Sequence, residues 1–146
     1  MTLLFINRII LISSNSTKEM SKVQEDYSKR KSWGMVASID IYHCNPKFIT
    51  SKKKIQEFVI KLCQSIGMKR HGPTLIERFA EGELAGYSAM QFIETSSITM
   101  HFDDQHDNRA FIDIFSCKFF DHKRAERFCR DFFESKKSKS IYYFRH

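Results

Sequence analysis

Between Gly86 and Cys117 the chain reads GYSAMQFIETSSITMHFDDQHDNRAFIDIFSC, a stretch that carries two hydroxyls, an imidazole and a thiol in strand-like surroundings. Ser88, Ser96, His101 and Cys117 are residue types from which nucleophilic and acid–base chemistry is built: a hydroxyl or thiol to attack, and an imidazole to move the proton. The turn at Thr95-Ser96 puts the four on neighbouring strands, and they are expected to converge near one end of a sheet. Each alone is ordinary, since a serine or histidine on a strand usually serves the fold and a cysteine after an apolar strand is usually a small core residue. Hydrolase patterns are missing: there is no GxSxG elbow, and the aspartates sit in a hydrophilic turn. Cys44, Cys63, Cys117 and Cys129 have neither CxxC nor Cys/His ligand spacing, which argues against zinc.

The elements that must hold these groups are legible from periodicity. Met35 to Tyr42 reads as a first strand ending at Asn45 and Pro46. Ile55, Phe58, Val59, Leu62, Cys63 and Ile66 follow helical spacing after a cap at Thr50 or Ser51, and Gly67 closes the helix. Thr74–Phe79, Tyr87–Ile93, Ser97–Phe102 and Ala110–Ser116 read as four further strands, with Gly72-Pro73 marking a turn. Asp121 opens a second helix with Ala125, Phe128, Cys129, Phe132 and Phe133 on its apolar face, and Ile141–Phe144 forms a last strand. This order predicts an α+β two-layer sandwich, an antiparallel sheet with two helices packed on one face.

The 146 residues, 42% hydrophobic and 14% aromatic, suit one domain with a substantial core. The net charge of +7 belongs to the ends. Residues 1–32 hold six basic and three acidic residues and residues 136–146 hold four basic and none acidic, which leaves fourteen of each between them. A neutral body without a recognition motif argues against nucleic acid as the partner. The polar, aperiodic residues before Trp33 predict a flexible N-terminal extension over 1–32 and a folded domain over 33–146. Leu3–Ile12 is too short for a membrane span and is interrupted by Asn7 and Arg8. With no secretory signal recognised and no disulfide framework expected, the predicted location is the cytoplasm.

The joint spacing of the four residues resembles the bacterial and archaeal S-adenosylmethionine decarboxylase family. There a serine five residues before a histidine is the self-cleavage site, and a cysteine about fifteen residues after the histidine closes an I-D-[LI]-F-[TS]-C strand. Here Ser96 is followed by SITM and His101, and IDIFSC ends at Cys117. Ser88 stands where the family carries a second serine that assists processing, and Asp40 and Cys44 match a D-x-x-x-C pattern in the leading strand. The resemblance covers about residues 33–135. Thr95 and Ser97 replace the usual Glu and His on either side of the cleaved serine, and the turn FDDQHDN lacks the family's Trp-Pro-Glu.

The resemblance implies that Ser96 attacks the Thr95 carbonyl and turns the peptide into an ester, with Ser88 helping to stabilise the oxyanion. His101 then takes the Ser96 α-proton so that the ester is eliminated, leaving a pyruvoyl group as cofactor on an α chain from residue 96, with a β chain ending at Thr95. Cys117 is implied to supply the proton in turnover. The implied substrate is a small molecule, S-adenosylmethionine on the way to spermidine, with Phe79 and Phe102 as rings for adenine and Glu94 and Asp104 for the positive charge. The acids of the turn keep a second substrate class open, the basic amino acids ornithine and arginine, and an unprocessed homologue acting as a regulatory or binding subunit is a third possibility. The implied assembly is a homodimer of processed αβ units with sites at or near the interface.

Overall fold

The computed structural model describes residues 17–146; residues 1–16, and with them the apolar run Leu3–Ile12, lie outside the described residues. Helix α1 covers residues 17–29 and is followed by β1 (Gly34–Tyr42), α2 (Pro46–Ile49), α3 (Lys52–Ser65), β2 (Arg70–Phe79), β3 (Gly86–Ile93), β4 (Ser96–Asp103), β5 (Arg109–Ser116), α4 (His122–Phe132) and β6 (Lys137–Arg145). The six strands form one sheet in the order β2-β3-β4-β5-β1-β6, with every neighbouring pair antiparallel. This is the two-layer α+β architecture expected from the sequence.

Alternation creates the two faces of the sheet. Met35, Ala37, Ile39 and Ile41 of β1, Ile98, Met100 and Phe102 of β4, and Ala110, Ile112 and Ile114 of β5 point into the core. They meet Ile55, Phe58, Val59, Leu62 and Cys63 of α3 and Ala125 and Cys129 of α4, with Phe133 just beyond. Ser51 caps α3 by accepting from the Lys54 N–H, and Asp121 caps α4 by accepting from the Arg124 N–H. The opposite face carries no covering layer among the described residues, and most of the large exposed apolar side chains lie on it: Leu75, Phe79, Phe92, Ile141 and Tyr143.

Three features differ from the periodicity reading. Residues Arg70 to Pro73 belong to β2, which is an edge strand whose register with β3 slips between His71 and Leu75. Gly72 takes a φ of +68° there, and Pro73 lacks a donor that an edge does not require. The last strand runs over nine residues because it pairs with the whole of β1. Within the expected flexible extension, residues 17–29 are helical; Val23 is buried and Tyr27 packs on Phe119 and Phe144. Met20, Val23 and Tyr27 form an i, i+3, i+7 stripe too sparse to stand out from its polar neighbours.

Candidate active site

The hairpin from β3 to β4 has only Glu94 and Thr95 between the paired residues Ile93 and Ser96. Two-residue hairpins normally absorb the strand twist with positive φ in the loop, usually through Gly or Asn. Neither loop residue has a positive φ, whereas Ser96 takes a φ of +144°, a conformation that residues with a Cβ rarely adopt.

The tip is held from both sides. The Cys117 N–H donates to the Thr95 carbonyl at 2.8 Å, and the Glu94 N–H donates to the Lys69 carbonyl at 2.9 Å. Ser116 Oγ donates to Thr95 Oγ1 at 3.0 Å, and Thr95 Oγ1 donates to Met68 Sδ at 3.2 Å. Such tethers allow a strained peptide to persist. The carbonyl preceding Ser96 therefore accepts a backbone hydrogen bond from the opposite strand end.

Ser88 and His101 form a second pair. They face each other across β3 and β4, with Ser88 Oγ 2.9 Å from His101 Nδ1. The hydroxyl donates to that nitrogen whenever the ring carries its proton on Nε2. A cavity of about 320 Å³ opens beside them, lined by Phe79, Leu84, Tyr87, Arg109 and Phe111 among others. Gly86 shapes its floor: a Cβ there would stand 2.1 Å from the Phe102 carbonyl oxygen.

The two pairs do not converge within one chain. His101 lies five residues along β4 from Ser96, about 17 Å at the usual rise per residue. Ser96 and Cys117 sit at one end of the central strands, where Ser96 is paired with Ser116, and Ser88 and His101 lie towards the other. The expectation of one cluster is corrected accordingly. The odd spacing from 96 to 101 was the available signal, because residues five apart on a strand belong to opposite faces.

The four binding candidates divide. Phe79 is exposed and lines the cavity. Phe102 is buried, its ring 5.5 Å from that of Phe133, so it is a core residue and no platform for a base. Glu94 is ion-paired with Lys69 at the hairpin tip. Asp104 is held by both terminal nitrogens of Arg78. Burial alone would raise the Asp104 carboxyl, but the hydrogen bonds from Arg78 and Gln105 outweigh it and hold the group below its usual range. Asp103 is likewise lowered, since hydrogen bonds from Arg109, Gln105 and His106 outweigh its burial. Phe111 and Arg109 on the open face, and Tyr87 at the rim of the core-facing side, were missed as cavity residues because strand alternation cannot say which positions a neighbouring loop turns into a wall.

Among the four cysteines Cys117 alone is exposed. Burial pushes the thiols of Cys44 and Cys63 up to about 12 and about 11, and raises that of Cys129 as well. These three stay protonated core residues.

Comparison with known proteins agrees with this architecture. The family model described as S-adenosylmethionine decarboxylase matches residues 36–146. The adenosylmethionine decarboxylase from Aquifex aeolicus VF5 superposes with a TM-score of 0.65 at 17% identity, covering 78% of this chain and 91% of that one. At that identity the likeness shows the fold. No curated protein matches in sequence.

Proposed function

The chain belongs to the S-adenosylmethionine decarboxylase family, and from that premise we propose that it is a self-processing decarboxylase that cleaves its own Thr95–Ser96 bond and uses the modified Ser96. The observation that carries this reading is the Ser96 φ of +144° next to a Thr95 carbonyl that accepts the Cys117 N–H. Attack by Ser96 Oγ on that carbonyl relieves a strained peptide, while the Cys117 N–H stabilises the oxyanion that develops. The amide becomes an ester with the Ser96 amine freed. Loss of the Ser96 α-proton then expels the Thr95 carboxylate, and hydrolysis of the resulting dehydroalanine releases ammonia. A pyruvoyl group supplies a ketone that binds the substrate amine and accepts the electrons left by departing CO2.

His101, backed by Ser88, is the base in this reading, and Cys117 holds the proton delivered to the substrate carbon. Both roles require the Ser88–His101 pair to meet a Ser96–Cys117 pair about 17 Å away along the strand. A second copy laid antiparallel over the open sheet face resolves the distance, each copy lending its Ser88–His101 pair to the other. The apolar side chains Leu75, Phe79, Phe92, Ile141 and Tyr143 on that face support a homodimer of processed αβ units.

S-adenosylmethionine is the substrate favoured by the cavity, where Phe79, Tyr87 and Phe111 offer rings for an adenine and a sulfonium. Two of the three turn acids that favour ornithine or arginine, Asp104 and Asp103, are engaged by Arg78 and Arg109. The product would serve spermidine synthesis. Four free thiols support a reducing, cytoplasmic setting, and no helix among the described residues is long and apolar enough to cross a membrane. Denaturing mass spectrometry of purified protein tests the proposal: fragments 1–95 and 96–146 are expected, with Ser96→Ala intact. An intact wild-type chain after prolonged incubation would leave an unprocessed, non-catalytic homologue as the remaining reading, and a fragment starting at Ser97 would move the nucleophile by one residue.

A further inference from the structure

Helix α1 precedes the residues matched by the family model, which begin at 36, yet it contacts the segment that carries Cys117. Val23 is buried, and the Tyr27 ring lies 5.6 Å from Phe119 and 5.5 Å from Phe144. The Tyr27 hydroxyl also reaches the Cys117 carbonyl at 3.5 Å, a long contact that adds direction more than strength. Cys117 itself donates its N–H to the Thr95 carbonyl. Residues 117–121 form no regular element between β5 and α4, so their position depends on such outside contacts.

We propose that α1 is a clamp on the Cys117–Phe120 segment, with Tyr27 as a positioning residue that fixes both the thiol and the N–H donor at the Thr95 carbonyl. The inference rests on the roles proposed above for Ser96 and Cys117. Tyr27 packs on Phe119 and on Phe144 of β6, which ties the segment to that strand and limits how far the preceding residues swing. Tyr27 is a hydroxyl donor at neutral pH like any phenol, and burial, then the nearby Cys117 thiol, raise it further above its ordinary range.

The exposure of Cys117 alone among the four thiols gives a readout independent of processing. Full-length Ser96→Ala chains, which hold the uncleaved state, are treated with iodoacetamide with and without Tyr27→Ala, Tyr27→Phe or Val23→Ala, and the labelled site is identified by mass spectrometry. Cleavage rates are read in parallel with Ser96 restored. Tyr27→Ala is expected to speed Cys117 labelling by about tenfold, as loss of two ring contacts allows, and to slow cleavage by a similar factor. Tyr27→Phe should restore most of both rates, and Val23→Ala should give a smaller change in the same direction.

Labelling of Cys44, Cys63 and Cys129 along with Cys117 in both Tyr27→Ala and Val23→Ala would mean general unfolding and would overturn the clamp. Unchanged Cys117 labelling in every variant would overturn it too, while leaving self-cleavage standing. Faster labelling in Tyr27→Ala from a chain whose wild type never cleaves would support the clamp and sink only the processing reading.

Discussion

If Ser96 must receive its base from another copy, two inactive chains should rescue each other. Ser96→Ala removes the attacking hydroxyl and leaves His101 intact, whereas His101→Ala removes the base and leaves Ser96 intact. Within one chain the two residues are separated by about 17 Å along β4, far beyond the roughly 3 Å that proton transfer demands. Each mutant expressed alone should therefore stay largely unprocessed. Random pairing of equal amounts puts about half of the His101→Ala chains into mixed dimers, given one twofold interface and no bias in assembly. In those dimers a His101→Ala chain has its own Ser96 and a partner's histidine. About half of the His101→Ala chains should then cleave at Thr95–Ser96, and the Ser96→Ala chains should not cleave at all. The assay is co-expression with two affinity tags followed by denaturing mass spectrometry. Cleavage of His101→Ala alone would remove histidine from the step. No cleavage in a mixture shown by tandem purification to contain mixed dimers would refute the shared site.

Further outcomes follow from single contacts. Cys117→Ala keeps the N–H that serves the Thr95 carbonyl, so fragments should still appear while CO2 release from S-adenosylmethionine falls by about a hundredfold; equal loss of both would tie the side chain to cleavage. Gly86→Ala places a Cβ 2.1 Å from the Phe102 carbonyl oxygen, and thermal unfolding should show a destabilisation of about 3 kcal/mol, because backbone there cannot step aside cheaply. His122 is buried at the start of α4 with its ring tilted against that of Tyr142; its burial, then Lys123, depress its pKa below 6.5. The unfolded chain protonates this ring first, so its contribution is present above pH 6.5 and is lost as pH falls towards the depressed folded value. His122→Phe should flatten that part of a urea-midpoint profile; an unaltered slope would assign it to other groups.

The six strands and the two long helices were legible in the linear pattern, whereas α1 and the short α2 were not. Strand alternation and the spacing of Ile55, Phe58, Val59, Leu62 and Cys63 are consequences of burying one face of an element, and a linear pattern records that directly. Ser88, Ser96, His101 and Cys117 were singled out by the resemblance of their spacing to a family pattern, which carries residue types and intervals but no register. Tertiary structure decided where those residues stand relative to one another. Strand length and parity divide them into two pairs, and only the built hairpin shows Ser96 at positive φ with its preceding carbonyl tied to Cys117. It also decided which candidates were free: Phe102 was spent on Phe133 and Asp104 on Arg78, because one strand position cannot reveal what an element distant in sequence brings against it. Tyr27 makes the same point from the other side, as a residue in an unpatterned helix that matters through two rings 92 and 117 positions further along the chain.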